Sequence, residues 1–140
     1  MNVNEIMTPQ ATCAAAGDSL LDAARRMKDA DVGVLPVTSP DGTVLGLLTD
    51  RDIVVRALAE SDDLTGVRVD DVMTPNPVTC RSDCPVDDAA STMRQRQIRR
   101  LIVTEEHNRT VLGIVSLGDI AARAHETELV GQATEGICHP

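Results

Sequence analysis

The chain carries one pattern twice. Val3-Asn4-Glu5-Ile6-Met7-Thr8-Pro9 returns as Val69-Asp70-Asp71-Val72-Met73-Thr74-Pro75. Gly46-Leu47-Leu48-Thr49-Asp50-Arg51-Asp52-Ile53 returns as Gly113-Ile114-Val115-Ser116-Leu117-Gly118-Asp119-Ile120. Between these landmarks Ala23-Ala24 matches Ala89-Ala90, Met27 matches Met93 and Leu35 matches Leu101, always at a spacing of 66 or 67 residues. A fixed spacing of this kind marks a unit duplicated in tandem. The pattern divides the chain into a first repeat over 1–62, a second over 67–128 and a tail over 129–140, with the polar, acidic stretch Ser61 to Gly66 as linker. Two equivalent units place equivalent surfaces about a pseudo-twofold axis, and function is expected in the clefts between them.

Each repeat alone would bury too little surface for comfortable stability, so the halves of this 140-residue chain are expected to share a core. Apolar residues make up 42% of the chain, yet Phe, Tyr and Trp are absent. The core must therefore be aliphatic, and a flat ligand must be held between aliphatic groups. With 22 acidic against 13 basic residues the formal charge is −9, which argues against non-specific nucleic-acid binding. Nearly all the basic residues are Arg, so a local cluster still suits an anion. No stretch approaches a membrane span, and the opening residues lack the charged and apolar regions of a signal peptide. A cytoplasmic location is the expectation.

Each repeat reads as strand, helix, strand, strand, helix, an α/β (α+β) pattern of two βαββα units. Ala11 to Ala14 is a short strand, and Asp18-Ser19 opens a helix with Leu20, Ala24 and Met27 on its apolar face. Gly33 to Val37 and Val44 to Leu48 are strands joined by the Ser39-Pro40-Asp41-Gly42 turn. A helix follows from Asp50 to about Glu60. In the second repeat Pro85 opens a helix to about Arg96, with Val86, Ala90 and Met93 inward. Arg100 to Thr104 and Thr110 to Val115 form a strand pair, and a last helix starts near Ser116.

The segment that carries chemistry reads Gly-apolar-apolar-Thr/Ser-x-x-Asp-Ile in both repeats. Gly46 and Gly113 allow another backbone or a ligand to come close. Thr49 and Ser116 stand where strand becomes helix, and free N–H groups there favour an anion. Asp52 and Asp119 follow in the first helical turn, where a carboxylate can accept both hydroxyls of a ribose. The same spacing is also a capping box, which needs no ligand. The duplication, the two glycines and Arg100 on the adjacent strand are not required for capping.

These residues, with the Met-Thr-Pro openings and Val34-Leu35-Pro36-Val37, resemble cystathionine-β-synthase (CBS) domains. Residues 3 to 126 resemble one tandem CBS pair, or Bateman module. The resemblance implies two βαββα units packed about a pseudo-twofold axis, with two clefts that bind AMP, ADP, ATP or a related adenosyl compound, and a homodimer. It implies that Asp52 and Asp119 hold the ribose, that Thr49 and Ser116 face phosphate or ribose, and that Arg100 takes phosphate. It further implies that Thr12 and Thr79, each before a cysteine, line the base pocket. Val34 stands in the first repeat where Arg100 stands in the second, leaving Arg51 as a substitute charge. The second-repeat cleft is therefore the better nucleotide candidate.

Cys13 and Cys80 match as repeat positions and read as small buried hydrophobes. Cys80-x3-Cys84 is not a zinc spacing. Cys138 and His139 are weak metal candidates, and a disulfide among the four cysteines cannot be read from sequence. No nucleophile–base pair or glycine-rich phosphate loop points to an enzyme. The leading expectation is a non-catalytic nucleotide sensor acting through a protein partner or self-association. A ligand-free interaction or scaffold module is the alternative, and a metal- or redox-responsive protein a third reading.

Overall fold

A computed structural model describes residues 1–124. After a 3-10 turn at Val3–Glu5 the elements are β1 (Thr8–Pro9), β2 (Ala14–Ala15), α1 (Leu20–Ala30), β3 (Val34–Thr38), β4 (Val44–Thr49) and α2 (Asp50–Asp52), which widens into a π-helical segment, Ile53–Leu58. The second half holds α3 (Val69–Val72), β5 (Thr74–Pro75), β6 (Thr79–Arg81), α4 (Val86–Arg96), β7 (Arg100–Thr104), β8 (Val111–Ser116) and a helix, α5, over 117–124.

The expected strand–helix–strand–strand–helix order is present in both halves, and so is a feature that periodicity could not show. The two sheets run β1-β8-β7-β6 and β2-β3-β4-β5. Each borrows its edge strand from the other repeat. Thr8 pairs with Ile114 and Pro9 with Gly113, while Gly46 pairs with Pro75 and Leu47 with Thr74. The glycines of the motif make this exchange sterically feasible. A Cβ at Gly46 would lie 2.9 Å from the Thr74 carbonyl oxygen, and one at Gly113 would overlap the Thr8 carbonyl oxygen. Of the two partners the sequence left open, backbone or ligand, the structure supplies a backbone.

The exchange extends to the interior. One aliphatic cluster joins Leu20, Ala23, Met27, Leu35, Val37 and Leu48 with Val69 and Val72 from the start of the second repeat. The other joins Ala89, Met93, Leu101, Val103 and Val115 with Val3 from the start of the first. The halves thus form two cores, each completed by a segment of the other repeat, rather than the single shared core expected. Each fully buried Leu, Val or Met contributes roughly 1.5–3 kcal/mol. Pro36 and Ile102 are fully buried but belong to neither cluster. They lie on the alternate face of β3 and β7, so a proline and an isoleucine fill matching buried positions in the two repeats.

Local chemistry explains the element ends. Ser19 Oγ accepts a hydrogen bond from the Asp22 N–H at 3.1 Å and starts α1. Its buried face is Leu20, Ala23 and Met27, one position away from the Ala24 expected. Pro85 is the residue before α4 rather than its first turn. Asp31 and Gln97 end α1 and α4 in the left-handed region, at φ of 55° and 56°. The Ser39-to-Thr43 turn and its longer counterpart over 105–110 meet across the axis. There Val44 N–H donates to the Arg109 carbonyl at 3.0 Å and Val111 N–H to the Gly42 carbonyl at 3.1 Å.

Strand register also corrects an equivalence. Ala14 pairs with Val37 as Cys80 pairs with Val103, so Cys80 corresponds to Ala14 and Cys13 to Thr79. The shared Thr-Cys dipeptide suggested a match one residue out of step.

Candidate functional site

Two clefts open where the strands of the motif end. The first, about 350 Å³, is bounded by Ser116 and Asp119 at the β8–α5 junction, by Thr8, Gln10 and Thr12 from the opening of repeat one, and by Arg100. Its far wall is formed by Ala30, Val32, Gly33 and Val34. The second, about 450 Å³, is bounded by Leu47 and Thr49 of β4, by Thr74, Asn76, Pro77 and Val78, and by the turn Gln97 to Arg100. These are pseudo-twofold mates. Each joins the motif of one repeat to the helix–strand turn of the other, so neither exists within one repeat.

At both helix entrances the polar pairs close on each other. Thr49 N–H donates to Asp52 Oδ2 at 3.0 Å, and Asp52 N–H donates to Thr49 Oγ1 at 3.1 Å. Ser116 N–H donates to Asp119 Oδ2 at 2.9 Å, and Asp119 N–H donates to Ser116 Oγ at 3.0 Å. These are reciprocal capping boxes. Capping uses one oxygen of each carboxylate and fixes its direction. Asp119 faces its cleft while capped, and Asp52 does not line either cleft.

The other expected residues divide in the same way. Thr12, Arg100 and Ser116 meet Asp119 in the smaller cleft, and Thr49 lies in the larger one. Thr79 is half-buried on β6, opposite Ile102, and Val78 lines the larger cleft in its place. Arg51 is exposed and borders neither cleft.

Charge differs more than the sequence suggested. Arg100 borders both clefts, because the start of β7 lies between them. Arg99 adds a second guanidinium to the larger cleft, which has no carboxylate in its lining, whereas Asp119 balances Arg100 in the smaller one. Among the described residues neither arginine makes an ion pair. The larger cleft is thus the more basic. Val34 borders only the smaller cleft whereas Arg100 borders both, so the two matched positions do not assign one residue to each cleft.

Sequence reasoning missed Arg99, Gln10 and Asn76. Their signal was available in part. Gln10 and Asn76 are polar residues at matched positions just after Met-Thr-Pro, and both adopt positive φ, 52° and 49°. A non-glycine residue there is uncommon and turns the chain from the exchanged strand into the cleft wall.

The profile of the CBS domain matches residues 3–58 and 69–126. The chain belongs to the CBS domain family. It is a CBS pair, and its relatives share nearly its whole length. The CBS domain-containing protein YhcV of Bacillus subtilis is 36% identical over 138 residues, covering 99% of this chain and 96% of that protein. Among solved structures, CBSX2 in complex with AMP is 27% identical with a TM-score of 0.78, covering 91% of this chain and 98% of the other. CBSX2 is from Arabidopsis thaliana. Hypoxic Response Protein I with two coordinated zinc ions is 30% identical with a TM-score of 0.77, covering 87% of this CBS pair and 98% of the other chain.

Cys138 and His139 lie outside the described residues. Among the described residues no group of three or more His, Cys, Asp or Glu side chains is placed to hold a metal ion, and no helix is long and apolar enough to cross a membrane.

Proposed function

We propose that this CBS pair is a non-catalytic regulatory module that binds an adenosine nucleotide, AMP, ADP, ATP or a related adenosyl compound, between its repeats. The observation that carries the reading is the cleft pair itself: two guanidiniums at one turn, without an ion pair among the described residues, in clefts of nucleotide size that also hold capped hydroxyl and carboxylate groups. Guanidinium groups suit bidentate phosphate contact. Asp119 spends one oxygen on its cap and offers the other to ribose hydroxyls, while Thr49 and Ser116 face the sugar or phosphate. Aliphatic groups such as Val32, Val34 and Val78 sandwich the base in the absence of aromatic rings. The larger cleft takes the phosphorylated ligand first because it has two cations and no opposing carboxylate. The AMP held by CBSX2 supports the ligand class.

Ligand binding across two repeats can signal only through differential affinity for two arrangements of them. The exchanged strands make such a shift concerted, since β1 and β5 move with the opposite core. The output passes to a protein partner in the cytoplasm or to a second copy of the chain. Val54, Val55 and Leu58 form an exposed aliphatic face, 46–55% accessible, on the second helix of repeat one, and this face packs in a homodimer.

The capping boxes favour a second reading, in which the clefts stay empty and the module serves as a scaffold. Thermal denaturation of the intact chain with AMP, ADP, ATP and adenosine separates the two. Ligand at a hundred times its Kd adds about 2.7 kcal/mol, several degrees in Tm. Loss of that ligand-induced shift in Asp119→Ala or in Arg99→Ala/Arg100→Ala supports the sensor. An equal loss of stability in Asp119→Ala with and without nucleotide supports the scaffold.

A further inference from the structure

The turn between β6 and α4 carries two cysteines that the nucleotide clefts do not use. Cys80 on β6 and Cys84 four residues on are close enough for each thiol to influence the other's proton, and Cys84 Sγ donates to the Pro85 carbonyl at 3.4 Å. Both pack against the second core and both keep partial solvent access. The backbone between them is already folded back, with Cys84 N–H donating to the Arg81 carbonyl at 2.9 Å. Arg81 and Asp83 brace the same turn through two contacts, 3.2 and 2.8 Å.

This turn grips the start of the chain. Val3 N–H donates to the Cys84 carbonyl at 2.9 Å, Asn4 N–H to the Ser82 carbonyl at 3.3 Å, and Val86 N–H to the Met1 carbonyl at 3.0 Å. The gripped segment leads directly into β1, whose Thr8 borders the smaller cleft.

We propose that Cys80 and Cys84 form a reversible intrachain disulfide that locks the docking turn for the exchanged segment. The oxidant is a low-molecular-weight disulfide. Cys84, whose thiol is pushed up by burial and by the Asp88 and Asp83 carboxylates, attacks through its minor thiolate form, makes a mixed disulfide and expels one small thiolate. Cys80 then gives its proton to solvent, attacks Cys84 Sγ and expels the second thiolate. Two protein thiols are oxidised to one disulfide while the small disulfide is reduced to two thiols. Burial pushes the Cys80 thiol up to about 12, which fits its place as the second, intramolecular attacker. A soft metal is the poorer occupant, because the described residues bring no third ligand to the pair.

The test is oxidation of the intact chain with oxidised glutathione, alkylation of the remaining thiols, and peptide mass mapping. The expected product has lost the mass of two hydrogens, links Cys80 to Cys84, and leaves Cys13 and Cys138 alkylated. Amide exchange at Val3, Asn4 and Val86 should then slow by roughly threefold or more against the reduced chain. Cys80→Ser should stop at a mixed disulfide on Cys84. A glutathione adduct on Cys84 that persists in the unsubstituted chain, a link from either cysteine to Cys13 or Cys138, or unchanged exchange at the three amides would overturn the proposal.

Discussion

Adding one methyl group at Gly113 tests the strand exchange directly. The Cβ of Gly113→Ala would overlap the Thr8 carbonyl oxygen and stand 3.0 Å from Met7 Sδ and 3.2 Å from the Thr8 carbonyl carbon. A side-chain tip could swing aside, but backbone cannot, so β1 must lift from β8. Overpacking of this kind costs about 1–3 kcal/mol, and each ladder hydrogen bond weakened adds about 1 kcal/mol. Alanine returns roughly 0.5–1 kcal/mol through the lower entropy of its unfolded chain. The net loss is about 1–3 kcal/mol, or roughly 3–10 °C in Tm for a domain of this size. Gly118→Ala is the internal control. Its Cβ would meet Ser116 Oγ at an ordinary 3.6 Å, and alanine gains about 0.5–1 kcal/mol over glycine in a helix. Urea unfolding of both variants, compared at equal m-values, reads the difference. Stabilities within about 0.5 kcal/mol of each other would refute the close approach of the repeat-one opening to β8.

Other consequences are equally specific. Gly46→Ala should destabilise in the same direction as Gly113→Ala, because its Cβ meets the Thr74 carbonyl oxygen at 2.9 Å and Met73 Sδ at 2.5 Å; urea unfolding checks it. Met93→Ala, at a fully buried site in the second core, should cost about 2–5 kcal/mol, measured the same way. Arg99→Ala should weaken ATP binding by roughly tenfold or more while leaving adenosine affinity unchanged, the loss expected for one charge-assisted contact, and calorimetry with both ligands decides it. Burial holds the folded Cys80 thiol near 12, above its ordinary 9.0. The unfolded chain therefore loses this proton first, so stability should fall as pH rises from about 9 toward 12. In Cys80→Ala that fall should be shallower by thermal melts across the same range.

The duplication, the βαββα order, the aliphatic composition and the residues at each helix entrance were all legible in the amino-acid order. They depend on local periodicity, capping chemistry and spacing, which a linear pattern records directly. Thr49 with Asp52 and Ser116 with Asp119 form their reciprocal hydrogen bonds across three residues, well within reach of such reasoning. What the tertiary structure alone decided is which groups face one another across the axis. The exchange of Thr8–Pro9 and Thr74–Pro75 between sheets, and the division of the interior into two interlocked cores, join segments more than a hundred residues apart or on opposite repeats. The same geometry brings Arg99 and Arg100 to the larger cleft, turns Asp119 toward its cleft and leaves Asp52 out. Repeats identical in pattern carry no label for which neighbour each surface meets. Packing about the pseudo-twofold axis assigns those neighbours, and with them the charge of each cleft.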